Sequence, residues 1–283
     1  MNNNDTQLQP AALLVHTCDR YRFLYPGFSY FFNQNWDFAT NCRYYFATEE
    51  VNVNLPHFQN IHSGRGEWSD RLRYLLQEVI TEKYLFYFQE DMWLQKPVSS
   101  SFMNELITLA QQFDWKQVKL GSANIYKTGP TTYYINGFNV TVLDNAASDY
   151  LMSHQITLWD KEFLIQQLHK GEHPWRNERR GTKRLKKLDP EIFHIDYFAE
   201  NGQAAININL PETVRSEYHT VSANSMLQAN VLPYIKQLQE EGTAEDKDYA
   251  AQLLHHYENQ LTHDGLPKPH KQDIFKKIKN LFK

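Results

Sequence analysis

Two cysteines in 283 residues, Cys18 and Cys42, are too few for a disulfide framework and form no CxxC pair. They read as reduced thiols, with a single disulfide the alternative. No stretch approaches the roughly 20 apolar residues of a membrane span. The opening "MNNNDTQLQP" is polar, and the apolar run after it, "AALLV", is too short for a signal peptide. Charge of one sign is also scarce: the formal net charge is −4, so the molecule as a whole gives no electrostatic reason to bind nucleic acid. These absences point to an intracellular globular protein. Aromatic residues, by contrast, make up 14% of the chain, enough to pack a ring-rich core or to line a surface for flat or ring-shaped ligands.

The pattern of elements is α/β. Ala11–Val15 is an apolar run that passes into the polar "HTCDRY", as a buried parallel strand does at its end. "YPGFSYFFNQNW" reads as a crossover helix and "CRYYFATEE" as a second strand that ends in acids. "GRGEWSDRLRYLLQEVITEKY" gives a Gly-containing loop and a helix, with Trp68, Leu72, Leu75, Leu76 and Val79 at helical spacing. Tyr84–Phe88 is a third buried strand, and "SSSFMNELITLAQQF" a Ser-capped helix. "VKLGSANIYK" and "TTYYINGFNVTVLD" read as antiparallel edge strands, "LWDKEFLIQQLHKG" as a helix stopped by Gly171, and "IFHIDYF" and "AAININL" as late strands. Strands alternating with helices imply a mostly parallel, Rossmann-type sheet flanked by helices. The expected divisions are 1–215 for this domain, 216–269 for a polar helical extension, and 270–283 for a tail.

Ligands on such sheets bind beyond the carboxyl ends of the strands. Cys18–Asp19, Thr48–Glu49 and Glu90–Asp91 all fall there, so the expectation is one shared crevice. Glu90 and Asp91 close the strand in "FYFQEDMWL". A hard cation such as Mg²⁺ or Mn²⁺ needs one or two carboxylates, with phosphate oxygens and water completing its shell. A solvated strand end would look the same. Upstream, "HSGRGEWSDRLRYLL" sets Gly64, Arg65, Gly66, Ser69 and Arg71 at a helix start, where N–H groups and the helix dipole attract an anion. Arginine adds planar contacts to phosphate. An ordinary capped helix with solvated arginines is the plain alternative.

Three features in order, "HTCDRY" after the first strand, "WSDRL" opening a helix and "FYFQEDMWLQKPV" ending a strand, resemble bacterial glycosyltransferases of the GT-A fold that build capsule and lipopolysaccharide-type glycans. "SHQITLWDKEFLIQQLHKGEHPWRNE" adds Gln155, Trp159, Leu164, Pro174, Trp175 and Glu178 to the likeness, which runs from about Ala11 to Glu178. The usual Asp-x-Asp is replaced here by Gln89-Glu90-Asp91-Met92, which leaves metal dependence open. The resemblance implies a nucleotide-sugar donor, with a UDP-sugar favoured, held by Thr17, Asp19, Arg22, Arg65, Ser69, Arg71, Glu90, Asp91, Gly137, Gln155 and Trp159. It implies a divalent metal, Mn²⁺ or Mg²⁺, on Asp91 and Glu90; His194, in "IFHIDYF", is a candidate third ligand or diphosphate contact, with a packed, hydrogen-bonded structural histidine the plain alternative. Attack by an acceptor hydroxyl needs a base. Glu178, which fits the Pro-Trp-x-x-Glu spacing, and Glu172 are the candidates, in an inverting reaction.

The basic run "RNERRGTKRLKK" reads as a loop, either solvated or closing over an anionic ligand. In the tail, Ile274, Phe275, Ile278, Leu281 and Phe282 share one helical face, with Lys271, Lys276, Lys277, Lys279 and Lys283 around it. Such a helix suits an anionic membrane surface. The combined expectation is a glycosyltransferase acting on a surface-glycan or lipid-linked acceptor, cytoplasmic and peripheral on the inner face of the membrane. The alternatives are a nucleotide- or carbohydrate-binding protein of the same fold without catalysis, and a nucleotidyltransferase. The latter would need a basic phosphate loop nearer the N-terminus than "HTCDRY" provides.

Overall fold

The apolar runs of the sequence become the middle of one large sheet in the computed structural model, which describes residues 9–267. β1 (Ala11–His16) lies between β2 (Cys42–Thr48) and β4 (Tyr84–Phe88), parallel to both, and β3 (Gln59–His62) adds to β2. Alternation assigns the two faces. Ala12, Leu14, Leu85 and Tyr87 pack with Trp68, Leu72, Leu75 and Leu76. On the other face Phe88 meets Phe32 and Trp36, in a ring cluster that includes Phe28, Phe46 and Phe58. The aromatic surplus is thus largely core.

The helices behind these contacts are α1 (Tyr25–Asn35) and α2 (Trp68–Tyr74), the latter running into a π-type turn at Leu75–Val79. Beyond β4 the sheet continues through β9 (Thr157–Asp160), β6 (Gln117–Gly121), β10 (Phe193–Glu200), β11 (Ser216–Thr220) and β5 (Met92–Leu94). β9 is antiparallel to both neighbours, while β6, β10 and β11 run parallel to one another. β7 (Thr128–Ile135) and β8 (Phe138–Leu143) form a hairpin joined to β10 through β8. The result is a mixed, mostly parallel, curled sheet flanked by helices, among them α3 (Ser100–Phe113), capped by Ser99 as expected, α4 (Lys161–Gln167) and α5 (Pro174–Leu188).

Several expectations change. "VKLGS" is an interior strand, β6, between β9 and β10. "TLWD" is a strand, so the helix of that segment begins only at Lys161, with Asp160 as its cap. The basic run is no loop but α5, started by Pro174 and by His173, whose ring accepts from the Arg176 N–H. "AAININL" is irregular, because its N–H groups at Ile206 and Asn207 donate to the Asp196 carboxylate instead of to a strand.

Contacts divide the chain between Thr220 and Val221. The boundary falls after β11, later than the expected 215, because Ser216–Thr220 is hydrogen-bonded into the sheet. The second unit contains the small hairpin β12 (Ser222–Ala223) and β13 (Met226–Leu227), α6 (Leu232–Glu241), and α7 (Ala244–Glu258) with a Thr243–Asp246 capping box. The amphipathic tail, 270–283, lies outside the described residues.

Candidate functional site

From β1 the chain winds outward through β2 and β3 and then returns to β4 on the other side of β1. The crevice at that reversal is where open α/β sheets hold ligands. Arg71, on α2, is buried there. Its Nη1 donates to the Thr17 carbonyl at 3.0 Å and to Ser63 Oγ at 3.3 Å, and lies 3.6 Å from Glu49 Oε1. Its Nε is buried without a partner. A guanidinium held on three strand ends with one donor unspent is suited to an anionic ligand oxygen.

Glu90 is buried beside it, and Asp91 half-buried. Both carboxyls are raised above their ordinary range: burial is the main cause for each, and for Glu90 the neighbouring Asp91 charge adds to it. Thr17 and Arg71 oppose the rise at Glu90 without cancelling it. Burial thus makes ionisation of this pair costly, a cost that a bound cation would offset. Two hard carboxylate ligands fit a Mg²⁺ or Mn²⁺ that draws its other ligands from phosphate and water. Among the described residues no cluster of three His, Cys, Asp or Glu side chains could hold a metal. His194 does not serve as the third ligand expected, because its ring is occupied. Its Nε2–H donates to the Gly121 carbonyl at 3.0 Å and its Nδ1 accepts from Asn207 at 2.9 Å, so both ring nitrogens are spent inside the core.

Other expected donor residues have different occupations. The Asp19 carboxylate accepts three backbone N–H groups, from Glu49, Glu50 and Val51, and so shapes the loop after β2. Ser69 is fully buried and ties α2 to the Glu172 backbone. Arg65 pairs with Glu50 on the surface at 2.8 Å, and Arg22 is exposed. Gly137 occupies the β7–β8 turn with φ 94°, its carbonyl accepting from Thr213 Oγ1, so the turn explains the glycine. Trp159 is a core residue of β9, its ring tilted against Phe163, because its strand is paired on both sides.

A cavity of about 360 Å³ opens at the ends of β6, β9 and β10, lined by Tyr126, Ser153, Gln155, Glu178 and Glu200 among others. Gln155 accepts from the Tyr218 hydroxyl at 2.8 Å. Glu178, on the inner side of α5, accepts the His154 N–H at 3.0 Å, and burial raises its carboxyl. Glu200 is raised to about 7, again by burial, with Tyr218 and Lys119 opposing the rise. Lys119 is buried with its Nζ on Ser153 Oγ at 2.8 Å, and burial pulls it down to about 7 against the attraction of Glu178 and Glu200. Two carboxyls raised by burial thus line one cavity, with the lowered Lys119 behind Ser153 of its wall, an arrangement suited to moving protons.

Glu172 has no part in it. Arg184 at 3.0 Å and Asn177 at 2.8 Å occupy its carboxylate and hold it below the ordinary range despite its burial, which disqualifies it as a base. Lys119, Glu200, Tyr126 and Tyr218 went unread in the sequence. A lone lysine inside the buried strand "QVKLG" and an acid closing "YFAE" were the available signals, the second being the same pattern as Glu90. A larger cavity of about 410 Å³ in the second unit has His256, Tyr257 and Glu258 as its ionisable lining, without a buried carboxylate. No protein-family model matches the chain, and no curated protein matches it in sequence.

Proposed function

We propose that the chain is a glycosyltransferase, transferring a sugar from a nucleotide-sugar donor, with a UDP-sugar favoured, to a hydroxyl of a glycan or lipid-linked acceptor. The observation that carries this reading is a juxtaposition at one sheet edge. An anion-seeking arginine and an acid pair lie at the strand-order reversal, and a cavity lined by the half-buried carboxyls of Glu178 and Glu200 lies at the neighbouring strand ends. Arg71 would take the donor's phosphate oxygens. Glu90 and Asp91 would hold a divalent cation which, when bound, neutralises charge on the leaving diphosphate. Gln155 and Tyr218 orient hydroxyls by hydrogen bonding. Glu178 takes the acceptor proton, since a carboxylate already raised by burial accepts it at neutral pH at little cost. The inverting outcome and the GT-A form of the sheet belong to this proposal.

The test pairs binding with turnover. A thermal-shift panel of UDP, GDP, CMP and dTDP with their sugars identifies the donor, and Glu178→Gln is then assayed for transfer. The expected result is an unchanged nucleotide shift with turnover lowered by ~10²–10⁴-fold. If no nucleotide stabilises the protein, the transferase reading is overturned. If transfer survives in Glu178→Gln, the assignment of the base is.

A further inference from the structure

The outer face of α5 is a stripe of positive charge. At 100° per residue, Trp175, Arg176, Arg179, Arg180, Lys183, Lys186 and Lys187 fall within one arc, while Asn177, Gly181 and Leu185 are buried on the opposite side. The helix has a single acid, Glu178, and it lines the cavity instead of the stripe. Neutralisation from outside the helix is thin. Arg180 lies 3.8 Å from Glu172, which already pairs with Arg184, and Lys186 lies 3.9 Å from Asp149. The Arg179 guanidinium reaches only the Trp175 carbonyl, at 3.3 Å. On a chain of net charge −4, a face of six cations without an acid is a local inversion of sign.

A solvated face would not need its aromatic. Trp175 is 62% exposed at the head of the stripe, and two further exposed apolar side chains, Tyr150 and Ile125, line the cavity that Glu178 enters. Met152, two residues past Tyr150, packs on Gly181 of the same helix. Cations with long apolar stems, an exposed tryptophan and a rim of apolar side chains form the composition of a surface that rests in a lipid headgroup layer.

We propose that the outer face of α5 is a contact surface for an anionic phospholipid bilayer, one that sets the mouth of the cavity beside the membrane. The inference stands on charge, exposure and geometry alone and does not require the transferase reading. It is also separate from the 270–283 tail, since α5 would bind whether or not the tail does.

The full chain is floated with vesicles of phosphatidylcholine, with and without roughly a third phosphatidylglycerol. The comparison is a variant carrying Arg176→Gln, Arg179→Gln, Lys183→Gln and Lys187→Gln, with Lys276→Gln, Lys277→Gln and Lys279→Gln present in both parent and variant so that the tail's charges do not mask α5. The substituted α5 side chains face outward, so circular dichroism and the melting temperature should match the parent. The parent is expected to float with anionic vesicles only and to be released by salt, and the variant to bind on the order of 10²–10³-fold more weakly. Trp175→Ser should weaken binding at high salt more than at low salt, because it removes an apolar contact and no charge. Equal flotation of parent and variant would overturn the proposal, as would failure of the parent to float. Capture by dextran sulfate without flotation would assign the stripe to a soluble polyanion instead, and equally overturn it.

Discussion

Glu172 and Glu178 stand six positions apart in the chain and illustrate how little a carboxylate's identity says about its role. Glu172 is held by two arginines and an amide, so its folded state favours the ionised form. The sign follows from that lowering: its stabilisation is present above the unfolded carboxylate range near pH ~4.3 and is lost as pH falls through the lower folded value. Removing it strands Arg184 against the Gln167 carbonyl without a counter-charge. Glu172→Ala should therefore cost about 3–5 kcal/mol, measured by urea unfolding at neutral pH, with a smaller penalty in acid. Among the described residues Glu178 has no cationic side chain within ion-pair distance, and its substitution should leave the urea midpoint nearly unchanged. A near-neutral Glu172→Ala would show that the ion pair is dispensable and reopen its candidacy as the base.

At the scale of elements, α5 connects local sequence to the site, and it is also where the sequence is hardest to read. The central strands were legible because Ala11–Val15 and Tyr84–Phe88 are apolar on both faces, as strands covered on both sides must be. The acid pair Glu90–Asp91 and Arg71 were legible because charge at a strand end or a helix start stands out against such runs. α5 carries no comparable apolar period. Its buried side is Asn177, Gly181 and Leu185, one large apolar residue in three, so charge density masks the helix. Trp159 failed for the opposite reason, since aromatic residues at helical spacing fit a buried strand equally well. Gly181 is small because a Cβ there would come within 2.6 Å of Met152 Cγ and 2.8 Å of its Cβ. Alanine would gain ~1 kcal/mol of helix propensity, yet the overpacking costs ~1–3 kcal/mol. Gly181→Ala should consequently be destabilising by up to about 2 kcal/mol in urea, and it should lower the proposed transfer by displacing Glu178 one turn away. Stabilisation instead would mean that Met152 gives way and that the close approach is incidental.

Over the whole molecule, the carboxyl edge of the sheet concentrates acids whose proton affinity burial has raised: Glu90, Asp91, Glu178 and Glu200. A carboxyl raised in the folded state gives stability that is complete below its unfolded value and lost as pH rises through the folded one. Over about pH 5.5 to 8 these acids lose stability while the buried His16, His154, His194 and Lys119, whose values burial lowers, gain it, so the acids' share is read as the difference in melting temperature between the parent and Asp91→Asn at the two pH values. A divalent cation on Glu90 and Asp91, as proposed, would compete with the protons and reverse the loss, because it would bind the ionised pair in the folded state alone. Mn²⁺ or Mg²⁺ should raise the melting temperature clearly at about pH 8 and little at about pH 5.5, where protons already occupy the pair. Asp91→Asn should melt higher than the parent at the alkaline end without metal, and should lose the metal-induced increment. Calorimetric scans at the two pH values, with and without metal, measure all of these quantities together. A metal increment of the same size at both pH values, or one that persists in Asp91→Asn, would place the cation elsewhere on the molecule. The raised acids would then act through protons alone.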